Sequence, residues 1–317
     1  MSGALLEGMT DVFLGHEAPV APLEPGLYPD VPMAGYLALP FMSASRLEHL
    51  RRSPLQYRHS LTTEEEPTAA LDRGTALHLA VLEPQLFEGH YVVLGQCEGR
   101  KKDLERCSYQ GSVYRDGRSF CKTHDPDKGA DPDPDIEVLP EKDYNAVLGM
   151  RDAIRAHGRA RSLFEGRGQF ETTIIFDDPE THVRCKMRPD RLVDRAGMLI
   201  DIKSSRDASP LAFPGLAEKL DYFRKLALYR RGLLAIRWPL KDIAVLAIEP
   251  EAPFDLAPYL VEDLRDLDSA DTEISRLLRL YCMCKESDSW PGYASSEDGF
   301  LMLRRPLWAV RNDEGTL

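Results

Sequence analysis

The sequence predicts an α/β fold: a central mixed sheet flanked by helices. Three features carry that expectation. Helical patterning covers about 140–157 and about 214–236, and four strand-like runs lie between those two helices. A further strand and an acidic helix follow. Helix, several strands, helix, strand is the order of a mixed α/β layer. With 317 residues and 43% hydrophobic side chains, the chain has enough apolar material for one large core or two ordinary ones.

The elements follow in chain order. Residues 1–40 are rich in Pro, Gly and Ala without periodicity and read as an N-terminal tail or draped arm. A capping-box pattern, Ser45 with Glu48, opens a short helix that stops before Pro54. TAALDRGTALHLAVLEP (68–84) is an amphipathic helix, weakened by Gly74 and ended by Pro84. A short strand at Tyr91–Leu94 precedes a polar stretch, about 96–128, that reads as an insertion, and 129–138 is an acidic linker. The strand-like runs are QFETTIIF (169–176), HVRCKM (182–187), RLVD (191–194) and MLIDIKS (198–204). DIAVLAIE (242–249) is the strand after the second long helix, and the acidic helix covers about 262–285.

No run approaches the roughly 20 apolar residues of a membrane span. The N-terminus lacks the basic and apolar regions of a signal peptide, so a cytoplasmic location is expected. Net charge is -12, but the charges are segregated. Residues 217–242 hold seven basic and three acidic residues, whereas 249–288 hold four basic and eleven acidic ones. Residues 97–124 (seven basic, four acidic) and 147–170 (five Arg, two acids) are also basic. A basic groove in an acidic protein is therefore compatible with nucleic acid as partner.

The chemistry concentrates in Arg188-Pro189-Asp190, followed ten residues later by Asp201-Ile202-Lys203. Period-2 geometry puts Asp201 and Lys203 on one face of a strand. A hairpin between the two segments brings Asp190 beside Asp201. Two convergent carboxylates form an oxygen-rich site suited to Mg²⁺ (or Mn²⁺), with Lys203 placed to orient or deprotonate a water.

A second cluster is Cys97, Cys107, Cys121 and His124 within the polar insertion. Three thiolates and an imidazole match a closed structural Zn²⁺ site, and a segment this polar needs metal in place of a core. It resembles small Cys3His zinc modules, with Leu104 where those carry Gly. Cys185, Cys282 and Cys284 read as core or surface thiols. Trp238, Trp290 and Trp308 read as packing residues.

Taken in order, FMSASRLEHLRRSPLQY, GTALHLAVLEP, RCKMRPDRL, LIDIKSS, YFRKLALY, LAIEPEAPFDLAPY and SWPGYASSE resemble the PD-(D/E)XK nuclease superfamily. More narrowly, they resemble the RecE-type (exodeoxyribonuclease VIII-like) prophage exonucleases of its RecB-like branch, over about 41–310. The resemblance implies a restriction-endonuclease-like core with the 96–128 module inserted. It implies a metal-dependent exonuclease acting on double-stranded DNA ends, degrading the 5′ strand and leaving 3′ tails for a single-strand annealing partner. A ring-shaped homo-oligomer is also implied. Alternatives are an endonuclease or single-strand nuclease on the same core, or a non-cleaving zinc-containing DNA-binding accessory protein.

By the same resemblance, His78, Asp190, Asp201 and the Ile202 carbonyl are the Mg²⁺ ligands and Lys203 is the catalytic lysine. Glu171 is a further acid for a second metal or the attacking water. Tyr229 matches the Tyr of a Q-x-x-x-Y helix motif, but Lys225 stands where Gln would be. Arg188, Ser204, Arg224, Lys225 and Tyr229 form the expected DNA-contacting set, with the cations of 217–242 tracking phosphates.

Overall fold

The computed structural model of the protein describes residues 23–63, 69–131, 133, 136–293, 300–301 and 303–305. Trp308 and the first half of the expected N-terminal arm lie outside them. Of that arm, Gly26–Tyr28 forms β1 and Met33–Ala38 forms α1. Next come α2 (Ala44–Arg52), α3 (Pro54–Ser60), α4 (Ala69–Leu82), α5 (Pro84–His90) and β2 (Tyr91–Val92). Pro84 ends α4 as expected but also opens α5, since proline's missing N–H costs nothing in a helix's first turn.

The cap of α2 differs from the expected box. Ser43, in extended backbone, accepts the amide of Arg46 at 3.3 Å, so the helix starts one residue before Ser45. Glu48 instead turns outward to Arg51 and Arg224.

Within the insertion, β3 (Val113–Arg115) and β4 (Arg118–Phe120) form a hairpin. The linker ends in β5 (Glu137–Val138), which pairs in parallel with β2. The insertion therefore leaves and re-enters the fold at one neck.

After α6 (Glu141–Ala156) and α7 (Gly158–Phe164), the run expected as one strand is two. β6 (Gln169–Phe170) and β7 (Thr173–Asp177) belong to different sheets. The break falls at Glu171, whose φ of 45° takes the chain out of extended conformation. One mixed sheet is thus corrected to two principal sheets. β1, β7 and β8 (Arg184–Met187) make the smaller, antiparallel one.

The larger sheet has the order β12-β11-β10-β9-β6, where β9 is Arg191–Val193, β10 Met198–Ser204, β11 Asp242–Ile248 and β12 Leu256–Leu260. Only β10 and β11 run parallel; β9 joins β10 as the expected hairpin. Gly197 closes that hairpin at φ 66°, and an added Cβ there would come within 2.3 Å of the Pro239 carbonyl oxygen.

The helix expected over 214–236 is two helices, α8 (Phe213–Lys219) and α9 (Tyr222–Ala235), separated by Asp221 at φ 57°. They make the crossover from β10 to β11. A 3-10 turn (Leu264–Leu267) leads into α10 (Asp268–Ser287).

Alternation along β10 and β11 separates two cores. Leu199, Ile243, Val245 and Ala247 face α2, α9 and α10, together with Phe176 and Met187 of the smaller sheet. Ile202, Leu246 and Ile248 face α4 and α6, with Leu77, Val147 and Met150. Burial on both sides explains why these parallel strands read as nearly continuous apolar runs. Trp238 and Trp290 pack against the first core, as expected of them.

Candidate active site

The register places three acids in one row. Gln169 and Phe170 pair with Leu192 and Arg191, and Arg191 pairs with Ile200. One step further along, Glu171 donates its amide to the Asp190 carbonyl at 3.1 Å, and Asp190 lies beside Asp201. A carboxylate of Asp190 accepts the Ile202 amide, which locks its orientation. Glu171 holds a left-handed backbone that costs a non-glycine residue free energy, and such strain concentrates at functional sites.

His78 arrives from α4, on the other face of the sheet from α9. Its Nδ1 lies 3.5 Å from Glu171 Oε1 and 3.4 Å from Asp190 Oδ1, and its Nε2 is 3.2 Å from the Ile202 carbonyl oxygen. His78, Glu171 and Asp190 offer ligand atoms all within 4.8 Å of one another.

Asp201 is held differently. Only 1% exposed, it takes Lys203 on one oxygen and Lys225 on the other, the latter at 3.0 Å. Lys203 also donates to the Ile202 carbonyl at 3.1 Å. From α9, Tyr229 donates its hydroxyl to the Arg188 carbonyl at 2.9 Å. Ser204 closes β10, half-buried.

Electrostatics follow from this packing. Burial pushes the Asp201 carboxyl up, but the two ammonium groups outweigh it and hold it well below the usual carboxylate range. Burial pushes Asp190 up as well; His78 opposes this, while the Asp201 charge reinforces it. Lys203 is lowered by burial and by the neighbouring Lys225, despite Asp201. Burial would also lower Lys225, but Asp201 and Tyr229 outweigh it and raise it well above an ordinary lysine. Two lysines on one carboxylate thus titrate in opposite directions.

Three carboxylates, an imidazole and a backbone carbonyl suit a hard divalent cation such as Mg²⁺ or Mn²⁺. The donor set fits the metal.

The expected DNA-contacting set is only partly present at this site. Arg224 is buried, at 4% exposure, against Glu48, Asp221 (3.1 Å) and Glu273 (3.5 Å). Arg230 pairs with Asp268 at 2.8 Å, and Arg231 with Asp178 and Asp271 at 2.7 Å each. Three cations of the basic 217–242 segment, Arg224, Arg230 and Arg231, thus face acids of α10, and Arg224 is engaged as a buried ion-pair partner.

Arg188 is likewise occupied. It donates to Glu171 at 2.9 Å, to the Val31 carbonyl at 2.7 Å and to Thr173 at 3.0 Å. Its guanidinium also lies 5.9 Å from the centre of the Tyr36 ring. Two features escaped sequence reasoning: the Lys225–Asp201 pair, and the closeness of the N-terminal arm to the site. Lys186, buried, donates to the carbonyls of Tyr36, Leu37 and Leu39 at 2.7, 3.1 and 2.8 Å, which pins the arm.

In the insertion, Cys97, Cys107, Cys121 and His124 converge, with all ligand atoms within 4.8 Å of one another. His124 Nδ1 lies 3.6 Å from Cys97 Sγ and 3.4 Å from Cys121 Sγ, and Cys107 Sγ is 4.0 Å from Cys121 Sγ. A tetrahedral ion with Zn–S of about 2.3 Å and Zn–N of about 2.0 Å needs donors roughly 3.5–3.8 Å apart, so the cluster fits zinc. Gly99 is required here, because a Cβ would sit 2.4 Å from His124 Cβ. Burial favours the Cys121 thiol, but amide hydrogen bonds from His124 and Thr123 and contacts with Cys97 and His124 outweigh it and bring its pKa down to about 6. Leu104 of this segment has a left-handed φ of 67°.

A family described as "PDDEXK-like domain of unknown function (DUF3799)" matches residues 43–299, and the chain belongs to that family. The curated proteins contain no match. Among solved structures, the chain is similar to a protein from Eubacterium rectale named "Putative exonuclease". The identity is 13%, over 87% of this chain and 93% of that one, with a TM-score of 0.50. That likeness bears on the fold alone. A second structure, SSO0001, aligns at 18% identity over 44% of this chain and 63% of its own, and its TM-score of 0.27 carries no argument. No helix among the described residues is long and apolar enough to cross a membrane.

Proposed function

We propose that the protein is a Mg²⁺- or Mn²⁺-dependent deoxyribonuclease that degrades linear double-stranded DNA from its ends. We further propose a 5′-to-3′ direction, leaving 3′ tails for an annealing partner. The observation that carries the reading is the row Glu171–Asp190–Asp201 with Lys203 seated on Asp201. Clustered buried acids repel phosphate, so a pure DNA-binding module has no use for them, whereas a hydrolase does.

Asp190, Asp201, Glu171, His78 and the Ile202 carbonyl would hold the cation. Bound there, it would neutralise charge developing on the scissile phosphate. Lys203, released from Asp201, orients the attacking water, and its lowered pKa suits it to exchange a proton with that water. Arg188 fixes Glu171, and Tyr229 fixes the Arg188 backbone next to Asp190. The end-directed mode is taken from the resemblance of the ordered motifs to the RecE-type exonucleases; the structural neighbour from Eubacterium rectale carries the name "Putative exonuclease". The Cys97/Cys107/Cys121/His124 cluster holds a structural zinc in this reading.

The test is linear duplex labelled separately at each 5′ and 3′ end, with a covalently closed circle alongside, in Mg²⁺ or Mn²⁺. Early release of 5′ label with the circle intact is expected. A nicked or cut circle would replace the exonuclease with an endonuclease, and retention without cleavage would defeat the enzymatic reading.

A further inference from the structure

Of the three carboxylates at the candidate active site, Glu171 meets Arg188 and Asp201 meets Lys203 and Lys225, while Asp190 faces His78. Arg188 is fixed to Glu171 and to the Val31 carbonyl, and Lys203 belongs to the same strand as Asp201. Lys225 is different. It reaches Asp201 from α9, across 24 residues of sequence, and occupies the oxygen that Lys203 leaves free. Both oxygens of a fully buried carboxylate are therefore already compensated by protein charge.

From this geometry we infer that Lys225 makes cation loading conditional on DNA. The inference rests on the nuclease reading above. With Lys225 on Asp201, that carboxylate carries two ammonium groups, and an added divalent cation faces one of them next to its own ligand. Like charges at that range in a poorly solvated site repel strongly. An incoming phosphate changes the balance. It attracts the Lys225 ammonium away from Asp201 as a point charge, frees the carboxylate oxygen, and offsets the added positive charge. Metal and DNA then bind with positive coupling, and by linkage each tightens the other by the same factor. The coupling suits a hydrolase that should hold its reactive cation only when a phosphodiester is present.

The experiment is calorimetric titration of Mn²⁺ into the full chain without DNA, repeated with Ca²⁺ in the presence and absence of linear duplex. The Lys225→Gln, Lys225→Met and Lys225→Arg variants are compared. Removing the charge is expected to tighten Mn²⁺ binding without DNA by about tenfold, within the roughly 5–150-fold range of ordinary coupling. The same variants should shrink the mutual enhancement of Ca²⁺ and duplex, whereas Lys225→Arg should keep both near wild type. Two neutral variants guard against a folding defect in one. Equal Mn²⁺ affinity in wild type and both neutral variants would overturn the coupling while leaving the nuclease reading intact. If no chain binds Mn²⁺ or Ca²⁺, with or without duplex, both readings fall together.

Discussion

If zinc folds the 96–128 insertion, the insertion should open without opening the rest of the protein. Its only buried cluster among the described residues is Cys97, Cys107 and Cys121. At roughly 0.8 kcal/mol per buried methylene-sized group, three such side chains supply a few kcal/mol. A structural zinc bound by comparable ligands supplies about 10–16 kcal/mol. The metal is the larger contribution several times over. Losing even ~4 kcal/mol of it raises the open population about a thousandfold. The perturbation is Cys107→Ser, or a strong chelator on the unmodified chain. Metal analysis of untreated protein should give about one zinc per chain. After zinc loss, limited proteolysis should cut rapidly within 96–128. The two main cores contain no residue between Tyr91 and Leu139, so their cooperative unfolding should move little. The parallel pairing of Val92 with Val138 keeps the neck closed. Absence of zinc, or equal protease resistance with and without chelator, would refute this account of what folds the module.

Three further outcomes follow from named contacts. Asp201→Asn should abolish cleavage, read on labelled duplex, while metal-free DNA binding measured by retention stays the same or strengthens; surviving cleavage would remove Asp201 from the site. Asp178→Ala should cost about 1.5–3 kcal/mol in denaturant unfolding, because it removes the fully buried acceptor that Arg231 meets at 2.7 Å and that also caps Thr181, while Arg231 keeps its pair with Asp271. Burial raises the Asp178 carboxyl, but Thr181 and Arg231 outweigh it and keep its pKa below the unfolded value of 3.8. Its stabilisation is therefore complete above that value and fades as pH falls through the folded one, so the acid-side stability slope should be shallower in Asp178→Ala than in wild type.

Much of the site was legible in the linear chain because its chemistry is carried by local alternation. MLIDIKS occupies β10 over the expected residues, and the ten-residue spacing to Arg188-Pro189-Asp190 is the length of one hairpin. Cys97, Cys107, Cys121 and His124 lie within one short polar segment, so their convergence was also readable. Period and spacing act over a few residues, and these features need no more.

Tertiary structure decided the rest. QFETTIIF has an unbroken β pattern, yet Glu171 turns into left-handed backbone because the two halves join different sheets. Three cations of α9, Arg224, Arg230 and Arg231, meet Glu273, Asp268 and Asp271 of α10, roughly forty to fifty residues later in the chain. Residues 23–40 had no periodicity because their order comes from Arg188 and Lys186 grasping their carbonyls, not from any repeat of their own. Lys225 reached Asp201 through the crossover between parallel strands. Local sequence sets which side chains share a face; which charges meet across that face depends on sheet register and helix packing between residues far apart in the chain, and no short-range pattern encodes it.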